Sequence, residues 1–195
     1  EEYKDELAMI IEEFLNQRIL GFKNEKGVYI TPSGNILDPE MFGASEFVGL
    51  AKELHDWLKD NKWRYPTDAE KENGSWMPSE EHGQNFVDCS AYVCWVLQQY
   101  GYDEITSQLG TYPDSYRALD LIEINDPSEL QPGDILMSNE HTEIYYEEDK
   151  TLNCGSTGSI QSEYTVRPLG SGGNVAYWWF ENYAGRDPCI FRVNK

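Results

Sequence analysis

Histidine is scarce here, with three in 195 residues, so any chemistry that needs an imidazole has few places to reside. Basic residues are few as well: 15 Lys and Arg stand against 35 Asp and Glu, for a formal net charge of −20. That balance argues against nucleic-acid phosphates and anionic membranes as partners, since both reward positive charge. No apolar run reaches the length of a membrane span, so membrane insertion is not expected. The four cysteines, at 89, 94, 154 and 189, lack the paired short gaps of a zinc site and do not show a disulfide framework. The one glycine cluster, Gly170-Ser171-Gly172-Gly173, has no phosphate-loop lysine and opens no helix, which argues against nucleotide binding. Low-complexity tracts are also missing, while 39% hydrophobic and 13% aromatic residues are ample for a packed core.

The segment Phe86-Val87-Asp88-Cys89-Ser90-Ala91-Tyr92-Val93-Cys94-Trp95-Val96-Leu97 carries the strongest chemical signal. Apolar residues recur at helical spacing from Ala91 to Tyr100, and Gly101 ends the run. This predicts a helix over 89–100 with Cys89 in its first turn. A thiol there faces unpaired backbone N–H groups and the positive end of the helix dipole, which favour a thiolate and can hold an oxyanion.

A cysteine nucleophile needs a base. His55 sits in a helical pattern beside Asp56 and Trp57 and reads as a surface residue; His82, in a polar segment, reads as a loop residue. His141 follows the turn Pro132-Gly133-Asp134 and a short apolar strand, and opens a strand in which His141, Glu143 and Tyr145 point one way. The next strand, Thr151–Cys154, brings Asn153 beside His141 if the two pair. An amide there would fix the imidazole tautomer. Cys89, His141 and Asn153 are therefore the candidate nucleophile, base and orienter. Cys94, Cys154 and Cys189 read as buried free thiols, with a bridge among them open if the chain is extracellular.

In that order, Asp88-Cys89-Ser90, Pro132-Gly133-Asp134-Ile135-Leu136, His141-Thr142-Glu143-Ile144-Tyr145 and Asn153-Cys154-Gly155 resemble the NlpC/P60 family of papain-like cysteine peptidases, across roughly residues 46–195. The resemblance implies hydrolysis of peptide bonds in peptidoglycan stem peptides, an extracellular or wall-associated setting, and no metal or cofactor. It also implies that Asp88 and Ser90 line the substrate site and that Tyr65 or Trp76 fills an aromatic role upstream of the cysteine. Ala91 stands where the family commonly has glycine, and the family's Trp-Gly-Gly element has no counterpart. The CHAP group of cysteine amidases and peptidases shares the Cys–His–polar order. An N-acetylmuramoyl-L-alanine amidase, CHAP-like or of the phage endolysin kind, and a catalytically silent binding module are the alternatives.

Residues 1–45 read as an N-terminal helical extension or linker, with an amphipathic helix over 3–20 and a small hairpin over 27–37. Glu1-Glu2-Tyr3-Lys4-Asp5-Glu6 is no signal peptide, and the absent initial Met points to a trimmed or processed form. Within 46–195 a helix is expected from Glu46 to Asp60 with Ser45 as its N-cap, then a long loop over 61–88, the helix at 89–100 and a short helix around 115–121. Strands are expected from Ile135 to Val193, with Tyr177-Trp178-Trp179-Phe180 in one of them. Helices first and an antiparallel sheet after give an α+β class, N-terminal helices packed on a central antiparallel sheet, which in the family would be the papain-like fold.

Overall fold

The computed structural model describes residues 22–23, 29–30, 36–37, 44–72, 77–78, 85–147, 150–155, 165–168 and 175–194. The helix expected over 3–20 and residues Trp76 and His82 lie outside them. Three two-residue strands come first: β1 (Phe22–Lys23), β2 (Tyr29–Ile30) and β3 (Ile36–Leu37), paired antiparallel in that order. The expected hairpin is the β2–β3 half of this sheet.

Helix α1 (Ala44–Asp60) shows why the three–four apolar spacing mattered: Phe47, Leu50, Ala51, Leu54 and Leu58 are all at most 2% exposed. A five-residue helix α2 (Asp68–Glu72) interrupts the expected loop. Its entrance is tied by Glu70, which accepts from the Thr67 N–H and O–H at 2.8 Å each and from the Arg64 guanidinium. Arg64 also bridges to Phe86, joining the two ends of the loop.

Helix α3 (Cys89–Tyr100) is apolar on nearly all sides, and ten of its twelve residues are buried. It has to be, because α1 covers one side and the sheet the other; the Tyr92 hydroxyl donates to the Ala51 carbonyl at 2.7 Å and ties the two helices together. The expected boundaries are those observed. Asp88 caps the N-terminus, and Gly101 ends the helix at φ 113, a left-handed conformation that glycine takes without strain.

After α4 (Pro113–Arg117), strands β4 (Leu121–Glu123), β5 (Ile135–Met137), β6 (Thr142–Glu147), β7 (Lys150–Asn153), β8 (Thr165–Pro168) and β9 (Cys189–Val193) form one sheet in the order β4-β9-β5-β6-β7-β8, antiparallel throughout. The chain is thus α+β with an antiparallel sheet. The last strand runs between β4 and β5 rather than along an edge.

Helix α5 (Val175–Asn182) corrects one expectation, since the aromatic run 177–180 is helical. Its residues Val175, Ala176 and Trp179 pack with Leu136 and Ile190 on the sheet face opposite α1 and α3, while Ile135, Met137, Ile144, Leu152 and Phe191 face α1 and α3. Helices on both faces explain why Ile135-Leu136-Met137 is apolar without alternation. The Pro-Gly-Asp turn leads into this strand through Asp134, which is fully buried, accepts two 2.8 Å bonds from Arg192 of β9 and caps Gln131 N at 2.8 Å. A buried carboxylate requires such partners. No described helix is long and apolar enough to cross a membrane.

Candidate active site

Cys89 occupies the first position of α3 and is 5% exposed. Its setting follows from the cap: the Asp88 carboxylate accepts from the Ala91 N–H at 2.8 Å and from the Ser90 hydroxyl at 2.9 Å. The N–H groups of Cys89 and Ser90, earlier in the same turn, have no intrahelical acceptor, as at any helix start.

His141 arrives from the sheet. A tight turn after β5 holds its backbone: Ser138 N donates to the His141 carbonyl at 2.9 Å, and His141 N donates to Ser138 Oγ at 3.1 Å. Asn139 N donates to the Arg186 carbonyl at 2.8 Å, and Glu140 pairs with Arg186, so the turn is anchored beyond α5 as well. The Cys89 side chain lies close enough to the ring to raise its affinity for a proton. The ring Nε2 lies 2.8 Å from Glu143 Oε1. Trp179 of α5 stacks on the ring at a centroid distance of 6.2 Å and an interplanar angle of 30°, and is fixed by its own N–H bond to the Met137 carbonyl at 3.0 Å.

Burial works against a charged imidazole here, but the neighbouring Cys89 side chain and the Glu143 carboxylate outweigh it and carry the His141 pKa up to about 10. Glu143 is fully buried, and its second oxygen accepts from the Thr151 hydroxyl on β7.

Asn153 lies at the end of β7 and is 7% exposed. Its Oδ1 accepts from Gly155 N at 3.1 Å, and a Cβ on Gly155 would meet both this oxygen at 3.3 Å and His141 Cε1 at 3.1 Å. Asn153 therefore borders the imidazole, as the strand pairing implied, while the bond to the ring nitrogen is made by Glu143. Sequence reading had placed Glu143 on the His141 side of the strand; what it could not give was the buried carboxylate's reach back to a residue two positions earlier.

His55 is a second correction. It is 1% exposed, and its Nε2 contacts the Asn153 carbonyl at 3.2 Å. Burial lowers its pKa to about 4, so the ring is neutral near pH 7. Tyr65 is half-buried near Cys89, Asp88 and Cys154; burial first, then these neighbours, raise its pKa well above that of a free tyrosine. All four cysteines are buried and unpaired. Cys94 is engaged by the Tyr116 hydroxyl and Leu109 N, both at 3.3 Å. Among the described residues no group of His, Cys, Asp and Glu could hold a metal ion. No family model, curated protein or solved structure matches this chain.

Proposed function

We propose that this chain is a cysteine hydrolase of the NlpC/P60 type that cleaves amide bonds in peptidoglycan stem peptides, acting outside the cell or at the wall. The reading rests above all on one observation: a cysteine at the start of a capped, buried helix lies beside a histidine presented by the sheet, whose ring is held by a buried carboxylate. The ordered sequence resemblance adds the substrate class and the papain-like fold.

In this mechanism the Cys89 thiolate attacks the amide carbonyl, and the N–H groups of Cys89 and Ser90 stabilise the oxyanion. His141 delivers its proton to the leaving amine as the C–N bond breaks. Water then attacks the thioester, His141 takes its proton, and the acid product leaves with the thiolate restored. Asn153, at the family's third polar position, borders the ring. By the resemblance, Asp88 and Ser90 would meet a free stem-peptide amine, and Tyr65 or Trp76 would fill the aromatic role upstream of the cysteine. The net charge of −20 gives no electrostatic adhesion to an anionic wall, so wall targeting would need a separate module.

The same groups would serve an N-acetylmuramoyl-L-alanine amidase. Incubating purified peptidoglycan with the wild type and with Cys89→Ala, and weighing the soluble products, separates the readings. Cysteine-dependent fragments cut within the stem support the endopeptidase, and release of whole stems identifies the amidase. Identical results from both proteins would refute the hydrolase.

A further inference from the structure

We propose that Glu143, held by Thr151, is the residue that positions His141 and, together with Cys89, favours its protonated ring, so that the working unit is the chain Cys89–His141–Glu143–Thr151 and Asn153 serves the neighbouring loop instead. The inference rests on the hydrolase reading and deepens it.

The geometry separates the two candidates for the third position. Glu143 Oε1 lies 2.8 Å from His141 Nε2, and Glu143 Oε2 accepts from the Thr151 hydroxyl. Both carboxylate oxygens are thus committed, one to the ring and one to a hydroxyl that is itself fully buried. The Asn153 amide oxygen is committed to Gly155 N, and its carbonyl to His55. Asn153 thereby sets the turn that lays Gly155 against the edge of the imidazole.

Burial adds the chemical argument. A fully buried carboxylate is costly unless a cation and further donors meet it. His141, 16% exposed, is in position to be that cation. An amide orienter fixes a tautomer; a buried carboxylate fixes the tautomer and also stabilises the imidazolium. The groups facing the ring are Cys89 from α3, Glu143 from β6, Asn153 and Gly155 from the end of β7, and the Trp179 indole from α5. Of these, Cys89 and Glu143 are the titratable groups. Glu140, next in sequence, is paired outward with Arg186. The proposal makes Glu143 a positioning residue, acting through His141 and not on the substrate.

The test reads the imidazole directly by NMR titration of the histidine ring signals, assigned with His141→Gln, in the wild type, Glu143→Gln, Thr151→Val and Asn153→Ala. Wild-type His141 is expected to stay protonated to near pH 10. In Glu143→Gln its proton should be bound at least about tenfold more weakly, with a smaller loss in Thr151→Val and none in Asn153→Ala. If Glu143→Gln does not fold, Thr151→Val, which keeps the carboxylate and deletes only its hydroxyl partner, decides the matter. An unchanged titration in the charge-deleting or hydroxyl-deleting variant, or an equal loss in Asn153→Ala, overturns the proposal. Because no substrate is involved, peptidoglycan left uncut by the wild type would count against the hydrolase reading alone.

Discussion

Asp88 is a single side chain on which both the fold and the site depend, and its removal has a calculable cost. Its Oδ1 accepts from the Ala91 N–H and from the Ser90 hydroxyl, at 2.8 and 2.9 Å. Losing an N-cap acceptor costs about 0.5–2 kcal/mol. Losing a negative charge at a helix N-terminus costs about 0.3–1 kcal/mol more. Since α3 is the core helix, fraying its first turn is not a local event, and the loss should appear in global unfolding. Asp88→Ala should therefore be destabilised by about 1–3 kcal/mol, or roughly 3–10 °C in Tm for a chain of this size. Asp88→Asn keeps an oxygen in the acceptor position and forfeits only the charge, so its loss should be no more than about 1 kcal/mol. Urea unfolding and calorimetry measure both. Asp88→Ala matching the wild type would refute the capping argument. Asp88→Asn falling as far as Asp88→Ala would place the stabilisation in charge alone.

Gly101→Ala forces a side chain into φ 113 at the end of α3 and should cost about 1–2 kcal/mol, read as a lower urea midpoint with an unchanged slope. His55 gives a pH signature. Its folded pKa, about 4, lies below the ordinary 6.5, so the unfolded chain binds the proton more tightly. The stability that comes from burying the neutral ring is full above pH 6.5 and is lost as pH falls toward 4, by about 3 kcal/mol in all. Urea midpoints at pH 7, 5.5 and 4 should show that decline in the wild type and a flatter one in His55→Gln. His141 carries the opposite sign: its contribution is full below pH 6.5 and is lost as pH rises through about 10, and Glu143→Gln should reduce that alkaline loss.

The parts of this molecule that local rules govern were legible in its sequence. The 89–100 helix could be bounded because Asp88 and Gly101 are cap residues whose chemistry acts within one turn. The face of α1 followed from apolar spacing, and His141 could be set at the head of β6 because a turn and an alternating pattern mark it. Features decided by distant contacts were not legible. The run Tyr177–Phe180 reads as strand by its aromatic content, but here it packs as a helix across Leu136 and Ile190. His55 looks exposed beside Asp56, and the distant Tyr92 ring and the end of β7 meet its ring and help to bury it. Glu143 looks like an ordinary polar strand residue until Thr151, eight positions on, meets its second oxygen.

The account turns on Cys89 being a nucleophile made reactive by His141, and selective labelling tests that claim most directly. The folded protein would be treated briefly with limiting iodoacetamide at pH 7, and the modified residue located by peptide mass mapping. The account predicts one fast-reacting thiol, Cys89, with Cys94, Cys154 and Cys189 left unmodified in the core, and a rate that falls by orders of magnitude in His141→Ala. Labelling of Cys89 no faster than that of a free thiol in the denatured chain, or an undiminished rate in His141→Ala, would contradict it.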